Sequence, residues 1–89
     1  MKNITKEWAK SAEKDLRDAL ILFNNKSYKN CILYSHQAIE KILKSIIVDK
    51  NYRQIRTHDL ISLVNDTKLR LPPDILDFID LLNPHYLPP

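Results

Sequence analysis

The 89-residue chain contains no glycine, and that absence constrains its fold more than any motif it carries. Glycine supplies the positive φ of tight hairpin turns and helix C-caps, and it lets backbone amides approach a phosphate closely. Its absence argues against two-residue β-hairpins and rules out a Gly-rich nucleotide loop. Turns have to be made with Asn, Ser, Asp and Pro, which favours an all-α chain with short connections. A chain of this length holds one hydrophobic core, so residues 1–89 read as a single domain.

Apolar spacing marks four helices, two long and two short. In residues 4–24, Ile4, Trp8, Ala12, Leu16, Ala19, Leu20 and Phe23 recur at three- and four-residue intervals and predict one buried stripe. The break Asn24-Asn25-Lys26-Ser27 supplies Asn for a left-handed cap and Ser27 as an N-cap, and a gap this short predicts an αα-hairpin. Residues 28–49 form the longest helical pattern and the one with the broadest apolar arc, which predicts contact on more than one side. Thr57 reads as the N-cap of a short helix over residues 58–66. Pro73 or Asp74 opens the last helix, where Pro is well suited, and Asn83-Pro84 stops it. The expected packing is an antiparallel up-and-down four-helix bundle.

The formal charge is +3, but it is unevenly spread. The three acids from Asp74 onward face no bases, which leaves residues 1–73 at a net +6. Lys41, Lys44, Lys50, Arg53 and Arg56 cluster in sequence, as an ordinary solvated surface or as a patch for a phosphate-bearing partner. The one cysteine, Cys31, cannot close an internal disulfide, and the expectation is a reducing cytoplasm. The opening MKNITKEWAK is not a signal peptide, and no apolar run reaches the length of a membrane span. No metal-ligand spacing is present. Asp74, Asp77 and Asp80 read as a wet helix face, and no cofactor is expected.

One polar line crosses the central helix. Gln37, Glu40, Lys41 and Lys44 follow i, i+3, i+4, i+7 and so share a face. They read either as a solvated stripe or, if the next helix packs there, as a polar network or pocket. Trp8 and Tyr28 read as core or interface anchors rather than stacking platforms.

In several places the chain resembles the HEPN domain, a small helical domain of higher eukaryotes and prokaryotes. Ala12-Glu13-Lys14-Asp15-Leu16 is similar to its A-x-x-D-L. His36-Gln37-Ala38-Ile39-Glu40-Lys41-Ile42-Leu43-Lys44 is similar to its Q-Q-A-x-E-K-x-L-K, with His36 replacing the first Gln. Thr57-His58-Asp59-Leu60 with Leu63 is similar to its T-H-D-L-x-x-L. Leu82-Asn83-Pro84-His85-Tyr86 is similar to the L-N-x-x-Y that precedes an R-Y-P segment; here Leu87-Pro88-Pro89 follows, as expected of either a natural short form or a truncated one.

The resemblance implies a helical domain that forms homodimers and partners a minimal nucleotidyltransferase in a toxin–antitoxin-like pair. It implies a nucleotide- or RNA-associated binding module; read from their own chemistry, Gln37, Glu40, Lys41, Lys44, His58 and Tyr86 are the candidate binding residues, and Gln37, Glu40, Lys44 and His58 read equally as an internally satisfied polar network. Some members of the family are metal-independent ribonucleases with four to six residues between an Arg and a His. Arg53 and His58 have that spacing: His58 would serve as general acid or base and Arg53 would stabilise phosphorane charge. A non-catalytic dimeric scaffold is the third reading.

Overall fold

The computed structural model describes residues 3–51 and 56–86. Arg53 lies outside the described residues. Within them the chain is helical, with no strand: α1 (Asn3–Asn24), α2 (Tyr28–Asn51), α3 (Leu60–Thr67) and α4 (Pro73–Leu82).

The turn from α1 to α2 shows how a glycine-free chain ends a helix. The left-handed residue is not Asn24 or Asn25, as sequence suggests, but Lys26, at φ 61°. Its N–H donates to the Phe23 carbonyl (3.0 Å), and the Ser27 N–H donates to the Leu22 carbonyl (2.8 Å). These are the two bonds of a Schellman motif, with lysine where glycine is usual. Ser27 then accepts the N–H of Cys31 on its carbonyl (3.0 Å), as an N-cap residue does.

Past this turn the helices run antiparallel. Phe23 and Tyr28 meet edge to face beside it, at 5.6 Å, and further along Lys41 meets Asp15 and Ser11. The buried face of α1 is Thr5, Ala12, Asp15 and Ala19. This corrects the expected stripe, because Ile4, Leu16, Leu20 and Phe23 are all exposed. Small residues at the contact let the two backbones approach, and the large apolar side chains stand to one side of it.

The main core lies on the other flank of α2. Leu43 and Ile47 pack with Leu60, Leu63, Val64, Ile79 and Leu82, each worth about 1.5–3 kcal/mol when fully buried. Asp59, not Thr57, caps α3: its carboxylate accepts the N–H groups of Ile61 (3.1 Å) and Ser62 (3.5 Å). Thr57 instead accepts the N–H of Asp59 on its hydroxyl (3.0 Å), so the helix starts two residues later than expected. α3 ends on a second left-handed lysine, Lys68, at φ 60°. α4 begins at Pro73, as expected.

The up-and-down order breaks at α3. Glu40 of α2 meets His58 just before α3, and Lys50 donates to the Thr67 carbonyl at the end of α3 (2.9 Å). Position rises along both helices together, so α3 runs in the same sense as α2. α4 runs back: its last turn lies beside Asp59 and Leu60, at the start of α3. Among the described residues α1 packs only on α2, whereas α3 and α4 pack on α2 and on each other. The helices therefore form an array centred on α2, with α1 on one flank, α3 and α4 on the other, and two sides between them. Those sides carry its two opposed residue lines, Gln37-Glu40-Lys44 and Tyr28-Ile32-Ile39-Ile42-Ile46.

Candidate functional site

The polar side is built around Glu40, whose side chain is nearly buried. Its Oε2 accepts Lys44 Nζ at 2.9 Å. Its Oε1 lies 2.9 Å from His58 Nδ1 and 3.7 Å from His36 Nδ1. Helical spacing sets His36, Glu40 and Lys44 one turn apart on α2, and the approach to α3 delivers His58. Lys44 is only 8% exposed, so removing the Glu40 carboxylate would leave an enclosed ammonium without its ion-pair partner.

His36 is 1% exposed, and its Nε2 has no hydrogen-bond partner. Burial holds its pKa below the ordinary value of 6.5, against the opposing pull of the Glu40 charge. Above it lies Tyr86, whose ring is stacked on His58 with centroids 5.1 Å apart and planes 16° apart. Tyr86 also contacts His36, at 5.7 Å.

A hydrogen-bonded joint holds this corner. The Leu60 N–H donates to Asn83 Oδ1 (2.7 Å), and Asn83 Nδ2 donates to Asp59 Oδ1 (3.0 Å). The Asn83 bond is the main reason the Asp59 carboxyl stays below its ordinary value; the Ser62 and Ile61 amides add to it. One side chain thus ties the start of α3 to the end of α4 and fixes Tyr86 over His58.

Two hollows adjoin this network. One, of about 270 Å³, lies between Trp8 and Ser11 of α1 and Glu40, Lys41 and Lys44 of α2. The other, of about 520 Å³, is lined by Arg56, Thr57, His58, Asp59, Asn83, Pro84 and Tyr86.

Of the residues singled out from sequence, Glu40, Lys44, His58 and Tyr86 come together here. Lys41 borders the first hollow but turns to α1, donating to Ser11 Oγ (2.6 Å) and pairing with Asp15 at 2.7 Å. Gln37 is half-buried, and its Oε1 is buried without a partner. Sequence reasoning passed over four contributors. Trp8 is half-buried and forms a wall of the site as well as packing. In the sequence His36 stands out only as a departure from a motif, although its i, i+4 spacing to Glu40 sets the two on one face. Asn83 and Arg56 had no local signal beyond the L-N-P-H-Y resemblance and the basic cluster. Among the described residues no group of three or more His, Cys, Asp or Glu side chains is arranged to hold a metal ion.

The electrostatics narrow the chemistry. Asp15, Glu40 and Asp59 offset Lys41, Lys44 and Arg56, so the site has little net field for a bare phosphate. It offers exposed ring faces, an indole wall and hydrogen-bonding groups. That combination suits a planar heterocycle with polar edges, and the formal +3 of the whole chain adds only a weak long-range positive field.

The model of the HEPN domain family matches residues 5–89. The chain belongs to the HEPN domain family. No match was found among curated proteins or among solved structures. The family motifs recognised in the sequence now have physical roles: the E-K-x-L-K run of α2 carries the polar network, T-H-D-L supplies its histidine and the cap of α3, and L-N-x-x-Y supplies the joint and the stacked ring. No helix among the described residues is long and apolar enough to cross a membrane.

Proposed function

We propose that this HEPN domain is a nucleotide- or RNA-associated binding module, acting in the cytoplasm as the partner of a minimal nucleotidyltransferase in a toxin–antitoxin-like pair, and that it works as a homodimer. The observation that carries the binding reading is the stacked His58–Tyr86 pair at the edge of a hollow with room for a nucleotide. Every base has a π face, so aromatic platforms bind without strict sequence preference and contribute about 1–3 kcal/mol per base. Gln37, Glu40 and Lys44 lie beneath as the polar floor, with Lys41 as a further charge.

The test is fluorescence anisotropy with labelled ATP and a labelled short RNA. Replacing His58 and Tyr86 with Ala is expected to weaken binding about tenfold or more, from the lost stacking, and added salt is expected to weaken it further. Failure to bind either probe, or binding that ignores both substitutions, overturns the reading.

One observation favours a second reading, a metal-independent endoribonuclease using Arg53 and His58. Glu40 engages His58 Nδ1, which leaves Nε2 as the nitrogen available for proton transfer, and a carboxylate-oriented imidazole is what a general base requires. Metal-free cleavage of RNA that disappears in His58→Ala is the expected result under this reading. A protein that dimerises but neither binds nor cleaves is the scaffold.

A further inference from the structure

Two histidines face one carboxylate oxygen beneath Tyr86. Glu40 Oε1 lies 2.9 Å from His58 Nδ1 but 3.7 Å from His36 Nδ1, so His58 holds the hydrogen bond and His36 does not. His36 Nε2 is buried without a partner. The ring is enclosed, at 1% exposure, and packing holds it in place. Part of its cover is Tyr86, in ring contact with His36 at 5.7 Å and stacked on His58 at 5.1 Å. Tyr86 is itself 46% exposed, so this wall of the enclosure borders solvent.

An enclosure of this kind suits one charge state of the imidazole. The neutral ring carries one N–H, whereas the imidazolium carries two and a full charge. The titratable and charged groups around it are Glu40 on α2, with Lys44 tied to that carboxylate, His58 ahead of α3 and Tyr86 after α4. Glu40 and the main-chain groups of Asn83 and His58 favour the proton; burial and the His58 ring oppose it, and burial dominates. The motif that this stretch resembles has Gln at position 36, and an amide has no proton to gain. The response therefore comes from this chain's own departure from the motif.

We propose that His36 is a positioning residue for the His58–Tyr86 platform: it seats Tyr86 while neutral and releases it when protonated, so that mild acid opens the platform. The proposal rests on the binding reading only for its consequence, since the seat itself is a matter of these four side chains. Two movements follow from the geometry. Protonated His36 draws Glu40 Oε1 across the 3.7 Å gap, and His58 loses the bond that orients its ring. The new N–H on the buried side needs an acceptor, and displacement of Tyr86 admits water to it.

Nuclear magnetic resonance on the full chain, with isotope-labelled His and Tyr rings, tests this from about pH 7.5 down to about pH 4.5, across the histidine range. The Tyr86 ring signal, assigned from its loss in Tyr86→Leu, is expected to move with the same midpoint as His36, below 6.5. The methyl signals of Leu63 and Val64 in the core are expected to stay in place. The Tyr86 step should vanish in His36→Gln, which restores the motif residue, and persist in His58→Gln. A Tyr86 signal that ignores the His36 titration overturns the proposal, and this comparison needs no variant at position 36. A step retained in His36→Gln also overturns it, as does a core shift at the same midpoint, which marks general unfolding. Binding gives a second measurement. Labelled ATP or RNA held at neutral pH is expected to lose about tenfold in affinity as pH falls through the His36 midpoint, from the lost stacking, and His36→Gln should remove most of that loss. Equal losses in the two proteins overturn the proposal. A wild type that binds neither probe overturns the binding reading alone, and the Tyr86 signal still decides the seat.

Discussion

Two sides of α2 lie between its packed neighbours, one polar and enclosed at Glu40 and Lys44, the other apolar and exposed at Tyr28, Ile32 and Ile42, and they are held by opposite physics. On the polar side each group depends on a named partner: Lys44 and His58 on Glu40, Lys41 on Asp15, Asp59 on Asn83. On the apolar side no single contact is essential, and what counts is area. The first arrangement is sensitive to the loss of any one member, because an enclosed charge or amide left alone keeps its full desolvation penalty. The second tolerates single changes within one chain and registers them only when another surface covers it. Groups that must hold one geometry are built in the first way, and a face that depends on area alone in the second.

Substitution can break or sharpen that contrast. The largest effect is expected from Glu40→Ala, which strands Lys44 and unties His58. A loss of about 3–5 kcal/mol, the scale for one partner removed from a buried pair, should appear in urea unfolding; a loss below 1 kcal/mol would mean that the network is solvated after all. Asn83→Ala comes next, at about 1–3 kcal/mol, because the Leu60 amide loses its acceptor.

A pH effect follows from His36. Its folded pKa lies below 6.5, so the unfolded chain takes up the proton more readily. The stability His36 contributes is present above 6.5 and is lost as pH falls from there through the folded value. Glu40 and His58 are the titratable groups that face it. The melting temperature should fall on mild acidification, and this slope should be absent in His36→Gln. Asp59 gives a second such loss at lower pH: its folded pKa is depressed, so its contribution fades as pH falls below its ordinary value of 3.8.

Smaller changes are expected away from both lines. Lys26→Gly and Lys68→Gly relieve a left-handed residue that carries a Cβ and should each stabilise by about 0.5–1 kcal/mol in thermal melts. The smallest effect is expected from Ile42→Ser, within about 0.5 kcal/mol, as for other exposed positions.

Much of this was legible in the residues. Helical period and the Asn24–Ser27 break gave α1, α2 and their hairpin; Pro73 gave the start of α4; the i, i+3, i+4, i+7 line placed Gln37, Glu40 and Lys44 on one face, from which Lys41 turns to α1. What escaped depended on partners. The stripe of α1 was read from hydrophobicity, yet Asp15 is buried and Leu20 exposed because Lys41 arrives to neutralise the acid and small residues fit the helix contact. The start of α3 was placed at Thr57 because the link from Asp59 to Asn83 spans 24 positions. The sense of α3 was invisible because helical period carries no direction. Family motifs name residues that meet in the structure without showing that Glu40 is the hub of their contacts.

The Asn83 joint has a further consequence for motion. The amides of Leu60, Ile61 and Ser62 are held by Asn83 and by the Asp59 carboxylate that Asn83 steadies. Opening the last turn of α4 therefore releases the first turn of α3, and the two fray as one unit. Hydrogen exchange at those three amides, in a helix that does not carry Tyr86, becomes a remote gauge of whether Tyr86 is in place: a ligand held against its ring should slow all three together.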